Sequence, residues 1–210
     1  MISSVFIVAT MGYLLGSFPT GFLVGRFAHV DVRAAGSGNI GATNVVRLLG
    51  KRFGYAVFLV DALKGILAVR AAIFVGERMG YRGEPLEICA IIAAISCVVG
   101  HSFPIWLRFK GGKGAATSSG VVIALMPLVA AVGLIVWVIA FETTRYVSVA
   151  SVAAATTLPV TVAIFSWAGI IMHGAALFYF SIAIAAIIVW RHRSNFSRLM
   201  NGTEPRFTRK

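Results

Sequence analysis

Acidic side chains are scarce in this chain: Asp31, Asp61, Glu77, Glu84, Glu87, Glu142 and Glu204 are all it has in 210 residues. No two stand on a shared loop at metal-ligand spacing, so neither a carboxylate-bound Mg²⁺ or Zn²⁺ centre nor any other cofactor is expected. Cysteine is sparser still. Cys89 and Cys97 lie in one apolar run and read as small buried hydrophobes without a disulfide. Internal repeats, low-complexity linkers and a soluble domain are missing too, which leaves a single membrane domain over residues 1–210 as the simplest organisation.

What the chain has instead is apolar surface and positive charge. Hydrophobic residues make up 59% of the sequence and the mean hydropathy is +0.89, more than a soluble core absorbs, so the surplus must face lipid. Against the seven acids stand 19 Lys and Arg, a formal net charge of +12. Such a balance serves nucleic acid, anionic lipid head groups or phosphorylated substrates. With no soluble basic domain to carry nucleic acid, membrane lipids and phosphorylated ligands are the expected partners. The apolar opening stretch has no Lys or Arg before it and no small-residue cleavage site after it, and reads as a first spanning helix, not a removed signal peptide.

A hydrocarbon core of about 30 Å takes about 20 helical residues. Candidate spans run over 3–25, 54–76, 86–107, 148–167 and 169–190. The stretch 114–142 is too long for one span and short for two, and Pro127 at its middle predicts two short helices meeting there. The positive-inside rule supports that break. Basic residues gather in 26–52, in 107–113, at Arg145 and in the tail from Arg191 through Arg209 and Lys210. With one span in 114–142, Arg145 and the tail would fall outside. With two, all basic segments lie inside, giving an all-α integral membrane protein of seven transmembrane helices, N-terminus outside and C-terminus inside. Asp61 and Lys64, three apart in the second span with Arg70 beyond, are expected to pair toward the bundle interior.

Four polar segments remain for chemistry, all on the inner side in this topology. The first, GSGNIGATNVVR at 36–47, lets glycines 36, 38 and 41 turn backbone N–H groups toward one point, with Ser37, Asn39, Thr43 and Asn44 as neutral donors. Arg47 adds a planar fork for phosphate oxygens. The second, GHSFPIWLRFKGGKGAAT at 100–117, puts Gly111, Gly112 and Lys113 before a helix N-terminus, another anion-binding arrangement. It is not a nucleotide P-loop, because Gly114 follows Lys113. Lys110 reads equally as a lipid head-group contact, and His101 as a helix-end residue packed under the loop. The third, TTRYVSVAS at 143–151, offers Ser148 or Ser151, either of which could simply cap a helix. In the fourth, RHRSNFSRLMNGTEPRF at 191–207, His192, Asn195 and Arg198 recur at one helical face, and Glu204 is expected to pair with a loop arginine in a structural role.

Three of these segments, GSGNIGATNVVR, GHSFPIWLRFKGGKG and HRSNFSRLMNGTE, resemble the signature motifs of the bacterial membrane glycerol-3-phosphate acyltransferases that use acyl phosphate, the PlsY type. The resemblance runs through the whole chain in motif order and spacing. It implies acyl transfer from acyl phosphate to the 1-hydroxyl of sn-glycerol 3-phosphate in a bacterial inner membrane, with the site facing the cytoplasm. By the family pattern Ser37, Arg47, His192 and Asn195 are the catalytic set. Gly38, Asn39, Gly41, Thr43, Asn44, Gly111, Gly112, Lys113 and Ser148 hold substrate phosphate. Ser151 stays open as the alternative to Ser148, and Phe196 departs from a commoner aliphatic residue at a packing position. None of His29, His101, His173 or His192 is followed by four residues and then Asp; Ala34, Trp106, Phe178 and Ser197 stand there, so the His-x4-Asp dyad of soluble-type acyltransferases is absent. Two other functions fit the sequence less well. A head-group transferase would lean on metal-binding aspartates, and an anion or phosphate transporter on a through-path and a repeat; neither feature is present. The oligomeric state is left open, a monomer being sufficient.

Overall fold

The structure, a computed structural model, describes residues 2–171 and 175–207. Of the segments discussed above, His173 and the basic Arg209 and Lys210 lie outside the described residues. The described chain is helical throughout and divides into two compact units, residues 1–125 and 126–210.

The first unit holds α1 (Ile2–Ser17), α2 (Thr20–Phe27), α3 (Ala42–Leu49), α4 (Lys51–Arg78), α5 (Gly83–Ser102) and α6 (Ala115–Leu125). Between α1 and α2 stand Phe18 and Pro19; proline has no N–H to give a helix interior, so the break falls there. α1 packs on α5 and α4 on α6. Both crossings are backbone-close, because a side chain at Gly16 would overlap the Cys97 carbonyl and one at Gly120 the Ala62 carbonyl. Small residues at helix crossings are what a lipid-embedded bundle needs, since tails offer no hydrophobic drive to bring helices together. Beneath the first polar loop lies a separate apolar cluster of Val32, Ile40, Val45, Val57 and Leu107. The α4 pair forms as the spacing predicts: Lys64 Nζ is 2.9 Å from Asp61 Oδ1 and both are buried, whereas Arg70 is exposed.

The second unit holds α7 (Pro127–Thr144), α8 (Val147–Trp167), α9 (Ala175–Arg191) and α10 (Arg193–Met200), with α8 packed against both α7 and α9. Arg145, in the left-handed region at φ 63°, turns α7 into α8. The tail folds back onto this turn: Phe207 N–H donates to the Arg145 carbonyl at 3.0 Å, and its ring meets Phe141 edge-on at 5.9 Å.

The break at Pro127 falls where proline chemistry puts it, with Pro127 as first residue of α7, the position where its missing N–H has no partner to lose. The two helices are unequal. α6 has 11 residues and is short, since the chain before Ala115 is spent on the glycine segment, while α7 runs 18 residues and is itself long enough to cross. Among the described residues four stretches are long and apolar enough to span a membrane: Ser3–Phe27, Gly83–Leu107, Pro127–Thr144 and Val147–Trp167. A fifth, α9 with α10, is bent by 48°. That bend falls at His192, which caps α10, so His192, Asn195 and Arg198 fall at one helical face as their spacing predicts, on α10 and off the line of α9.

Candidate active site

In the first unit the loop after α2 is built around Asn44. Its side-chain amide donates to the carbonyls of Val32 (2.9 Å) and Ala35 (3.2 Å), and its Oδ1 accepts the Ser37 backbone N–H at 2.9 Å. Every arm of this buried amide therefore goes to shaping the loop that presents Ser37. Gly36 has φ +61°, and a side chain there would overlap Asn44 Oδ1, so only glycine lets the turn close over the amide. Asn39 repeats the device on a smaller scale, its Oδ1 accepting the Gly41 N–H at 2.8 Å just before α3 begins. Ser37, Thr43 and Arg47 are half-buried at the loop and its following helix, and Gly38 is exposed.

The second segment is fastened to the end of α5. Gly111 N–H donates to the Ser102 carbonyl (3.2 Å) and Gly112 N–H to the His101 carbonyl (3.0 Å). A Cβ on Gly112 would lie 2.8 Å from Cε1 and 2.9 Å from Cδ2 of His101, and nearer still to Nε2. The imidazole thus occupies the space of any side chain at 112. Lys113 follows, half-buried, and Lys110 is exposed. Behind His101 lies a buried polar group that local pattern does not assemble: Asp61, Lys64 and His101 are 1%, 5% and 4% exposed. Thr20 Oγ1 donates to Asp61 Oδ1 at 2.9 Å, and Lys64 Nζ donates to the Phe18 carbonyl at 3.0 Å and lies 2.9 Å from His101 Nδ1. The hydroxyls of Ser17 on α1, Ser102 on α5, and Thr117 and Ser118 on α6 are buried with no protein hydrogen-bond partner.

In the second unit Glu204 is the hub. Only 7% exposed, its Oε1 accepts from Asn195 Nδ2 (2.7 Å) and Ser148 Oγ (3.2 Å), and its Oε2 from Arg198 Nε (2.7 Å). Burial works to raise this carboxyl, but hydrogen bonds from Asn195 and Arg198, the Arg198 charge and the Ser148 bond outweigh it and hold it below the usual carboxylate range. The arginine partner is Arg198 of α10, not a loop arginine, because the tail turns back beside that helix, and Glu204 gathers three residues instead of one. Ser148 separates from Ser151 here, since Ser151 instead accepts from Trp137 Nε1 at 3.4 Å. His192 sits at the α9–α10 bend with Nδ1 2.8 Å from the Ile188 carbonyl. A carbonyl only accepts, so Nδ1 carries the hydrogen and the basic lone pair of the neutral ring is on Nε2.

The loop residues 36–47, the 110–113 segment and the 148/192/195 set are thus each brought together as local clusters. Thr20, Asp61 and His101 in the first unit and Glu204 in the second join those clusters as residues that spacing alone under-rated. Asp61 carries a sequence signal, since a charge inside an apolar span must have a partner, and Glu204 one in the arginines around it; Thr20 and the contact of His101 with Lys64 carry none.

The family model described as Glycerol-3-phosphate acyltransferase matches residues 6–202. A glycerol-3-phosphate acyltransferase of Synechococcus elongatus is 43% identical over 98% of this chain and 96% of its own. One from Desulforamulus reducens is 41% identical over 91% and 90%. Among solved structures, PlsY, an integral membrane glycerol 3-phosphate acyltransferase in its glycerol 3-phosphate form, superposes with a TM-score of 0.85 at 37% identity over 98% of this chain and 96% of that one. Its lysophosphatidic acid form superposes with a TM-score of 0.82.

Proposed function

The chain belongs to the glycerol-3-phosphate acyltransferase family, and from that premise we propose that it transfers an acyl group from acyl phosphate to the 1-hydroxyl of sn-glycerol 3-phosphate, yielding lysophosphatidic acid and inorganic phosphate. This is an acylation step of phospholipid biosynthesis, carried out by residues 1–210 as one acyltransferase domain. The observation that carries the reading is the pair of glycine-built segments in the first unit. Asn44 shapes one around Ser37, and His101 fastens the other just before Lys113. Both substrates of such a reaction carry phosphate, and each segment presents a cationic side chain, Arg47 or Lys113; the N–H groups of Ser37, Gly38, Gly41, Gly111 and Gly112, expected to turn toward a phosphate, instead donate within the protein and hold the segments in shape.

Acyl phosphate is a mixed anhydride and needs no further activation. The glycerol hydroxyl adds to the acyl carbon, the bond from that carbon to the phosphate oxygen breaks, and phosphate departs with the electron pair. The proton goes to a substrate phosphate oxygen or to His192 Nε2, whose basic lone pair the Ile188 bond fixes. Alignment and charge stabilisation then supply the catalysis: from the first unit Arg47 and Lys113 for phosphate with Ser37 and Thr43 for polar contacts, and from the second unit Asn195 and Ser148 for polar contacts. Gly38, Asn39, Gly41, Asn44, Gly111 and Gly112 are the backbone that makes those contacts possible.

We place the N-terminus outside and the C-terminus inside a bacterial inner membrane, with seven crossings: α1 with α2, α4, α5, α6, α7, α8 and α9. That order puts the basic segments 26–52 and 107–113, Arg145 and the tail on the cytoplasmic side, as the distribution of Lys and Arg favours.

The test is direct. Purified protein in lipid nanodiscs, given acyl phosphate and glycerol 3-phosphate, is expected to release phosphate and form lysophosphatidic acid without acyl-CoA. No release, with phosphate uptake into vesicles instead, overturns the reading. Recovery of an acylated Ser37 after quenching with acyl phosphate alone overturns direct transfer only.

A further inference from the structure

Lys64 lies in the interior of α4, far in sequence from any glycine segment, yet its ammonium is wholly committed. Its three N–H groups meet three acceptors: Asp61 Oδ1 at 2.9 Å, the Phe18 carbonyl at 3.0 Å and His101 Nδ1 at 2.9 Å. Because an ammonium only donates, Nδ1 must accept. Asp61 Oδ1 lies farther from the same nitrogen, at 3.7 Å. With Nδ1 accepting from the ammonium, the ring hydrogen is on Nε2, and Nε2 is the atom that faces Gly112.

The cluster holds residue 112 twice, through the His101 ring and through the His101 carbonyl that takes the Gly112 N–H at 3.0 Å. Gly111 is held by the next carbonyl along, that of Ser102. A pair that merely tied α4 to its neighbours would need Asp61 and Lys64 alone. The third bond instead sets the ring, and the ring sets the segment.

We propose that Asp61, Lys64 and His101 form a positioning strut: Lys64, anchored by Asp61, orients His101 so that its Nε2 side braces Gly112 and places Lys113 for the phosphate of glycerol 3-phosphate. The strut touches no reacting atom, and it rests on the reading that the 110–113 segment binds that phosphate.

Two measurements test it. Nitrogen NMR of histidine-labelled wild-type protein, with the His101 signals assigned by their loss in His101→Gln, is expected to show a neutral ring hydrogenated at Nε2. An imidazolium or an Nδ1–H ring overturns the strut. In kinetics, His101→Asn keeps an acceptor for Lys64 but is too short to fill the space against Gly112, so the segment shifts and KM for glycerol 3-phosphate is expected to rise about tenfold. KM for acyl phosphate and kcat should stay within about twofold. His101→Gln, whose longer side chain fills that space, should recover KM to within about threefold of the wild type. Equal rises in both KM values, or no recovery in the glutamine variant, overturns the strut. Lys113→Ala run alongside separates the two levels. If it leaves KM for glycerol 3-phosphate unchanged, the reading of the segment falls and the strut's role with it. If it raises that KM while His101→Asn does not, only the strut falls.

Discussion

Replacing Lys64 by methionine should cost the protein more than replacing Lys64 and Asp61 together. Both groups are buried, at 5% and 1% exposure, so the single change strands a carboxylate left with the Thr20 hydroxyl at 2.9 Å and the His101 ring at 3.7 Å. Breaking a buried pair by removing one partner costs about 3–5 kcal/mol, because the other charge is left without compensation. A bilayer core offers no cheaper refuge for it. For a chain of this size each kcal/mol moves Tm by about 2–4 °C, so Lys64→Met should lower Tm by about 6–20 °C. In Asp61→Asn with Lys64→Met the charge is gone, the shape is nearly kept and the amide oxygen introduced at position 61 still accepts from Thr20, so at least half of the loss should return. The protein carries its own reporter in Cys89 and Cys97, free and buried, which a thiol-reactive fluorogenic dye reaches only on unfolding. If the single variant melts at or above the double variant, Asp61 is not stabilised by Lys64 and the charge assignment of the whole cluster is wrong.

Three further perturbations read other parts of the structure. Gly112→Ala puts a methyl group within 2.9 Å of the His101 ring, so the segment or the ring must move. KM for glycerol 3-phosphate should rise at least about tenfold at nearly unchanged Tm, and an unaltered KM would show that the contact is idle. Asn44→Asp keeps the acceptor for Ser37 N–H but faces a carboxylate oxygen toward the Val32 and Ala35 carbonyls. Activity should fall at least about a hundredfold while acyl phosphate still protects the protein thermally; activity within about threefold of wild type contradicts the loop's dependence on that amide. Glu204, whose carboxyl is held below its usual value, lends stability that is complete above the unfolded-state value and disappears as pH falls through the lower folded one. Hydrogen exchange over residues 193–207 should therefore stay slow at neutral pH and quicken only in acid below about pH 4, whereas Glu204→Gln should show fast exchange at neutral pH. Identical exchange in the two proteins at neutral pH removes Glu204 as the hub.

Much of the architecture is legible without coordinates because lipid imposes a simple rule: a backbone in hydrocarbon must bond to itself, so apolar runs of sufficient length become helices. Pro127 is read correctly as a break for the same local reason, a missing N–H. The glycine segments are legible too, since Gly36, with φ +61°, is a backbone requirement that residue type alone betrays. Helix lengths on either side of Pro127 are harder, because how much chain the 110–114 segment consumes depends on its being tied to α5.

Composition and local order by themselves settled that this is a membrane protein with polar segments at its basic ends, and which residue types could meet phosphate. They could not show that His101 answers to Lys64, 37 positions away, or that Ser148 reaches Glu204 across 56. Those pairings have no period to detect. They exist because a buried charge or imidazole must find its partner somewhere in the packed interior, and only the crossings of α4 with its neighbours and the return of the tail onto α8 decide where.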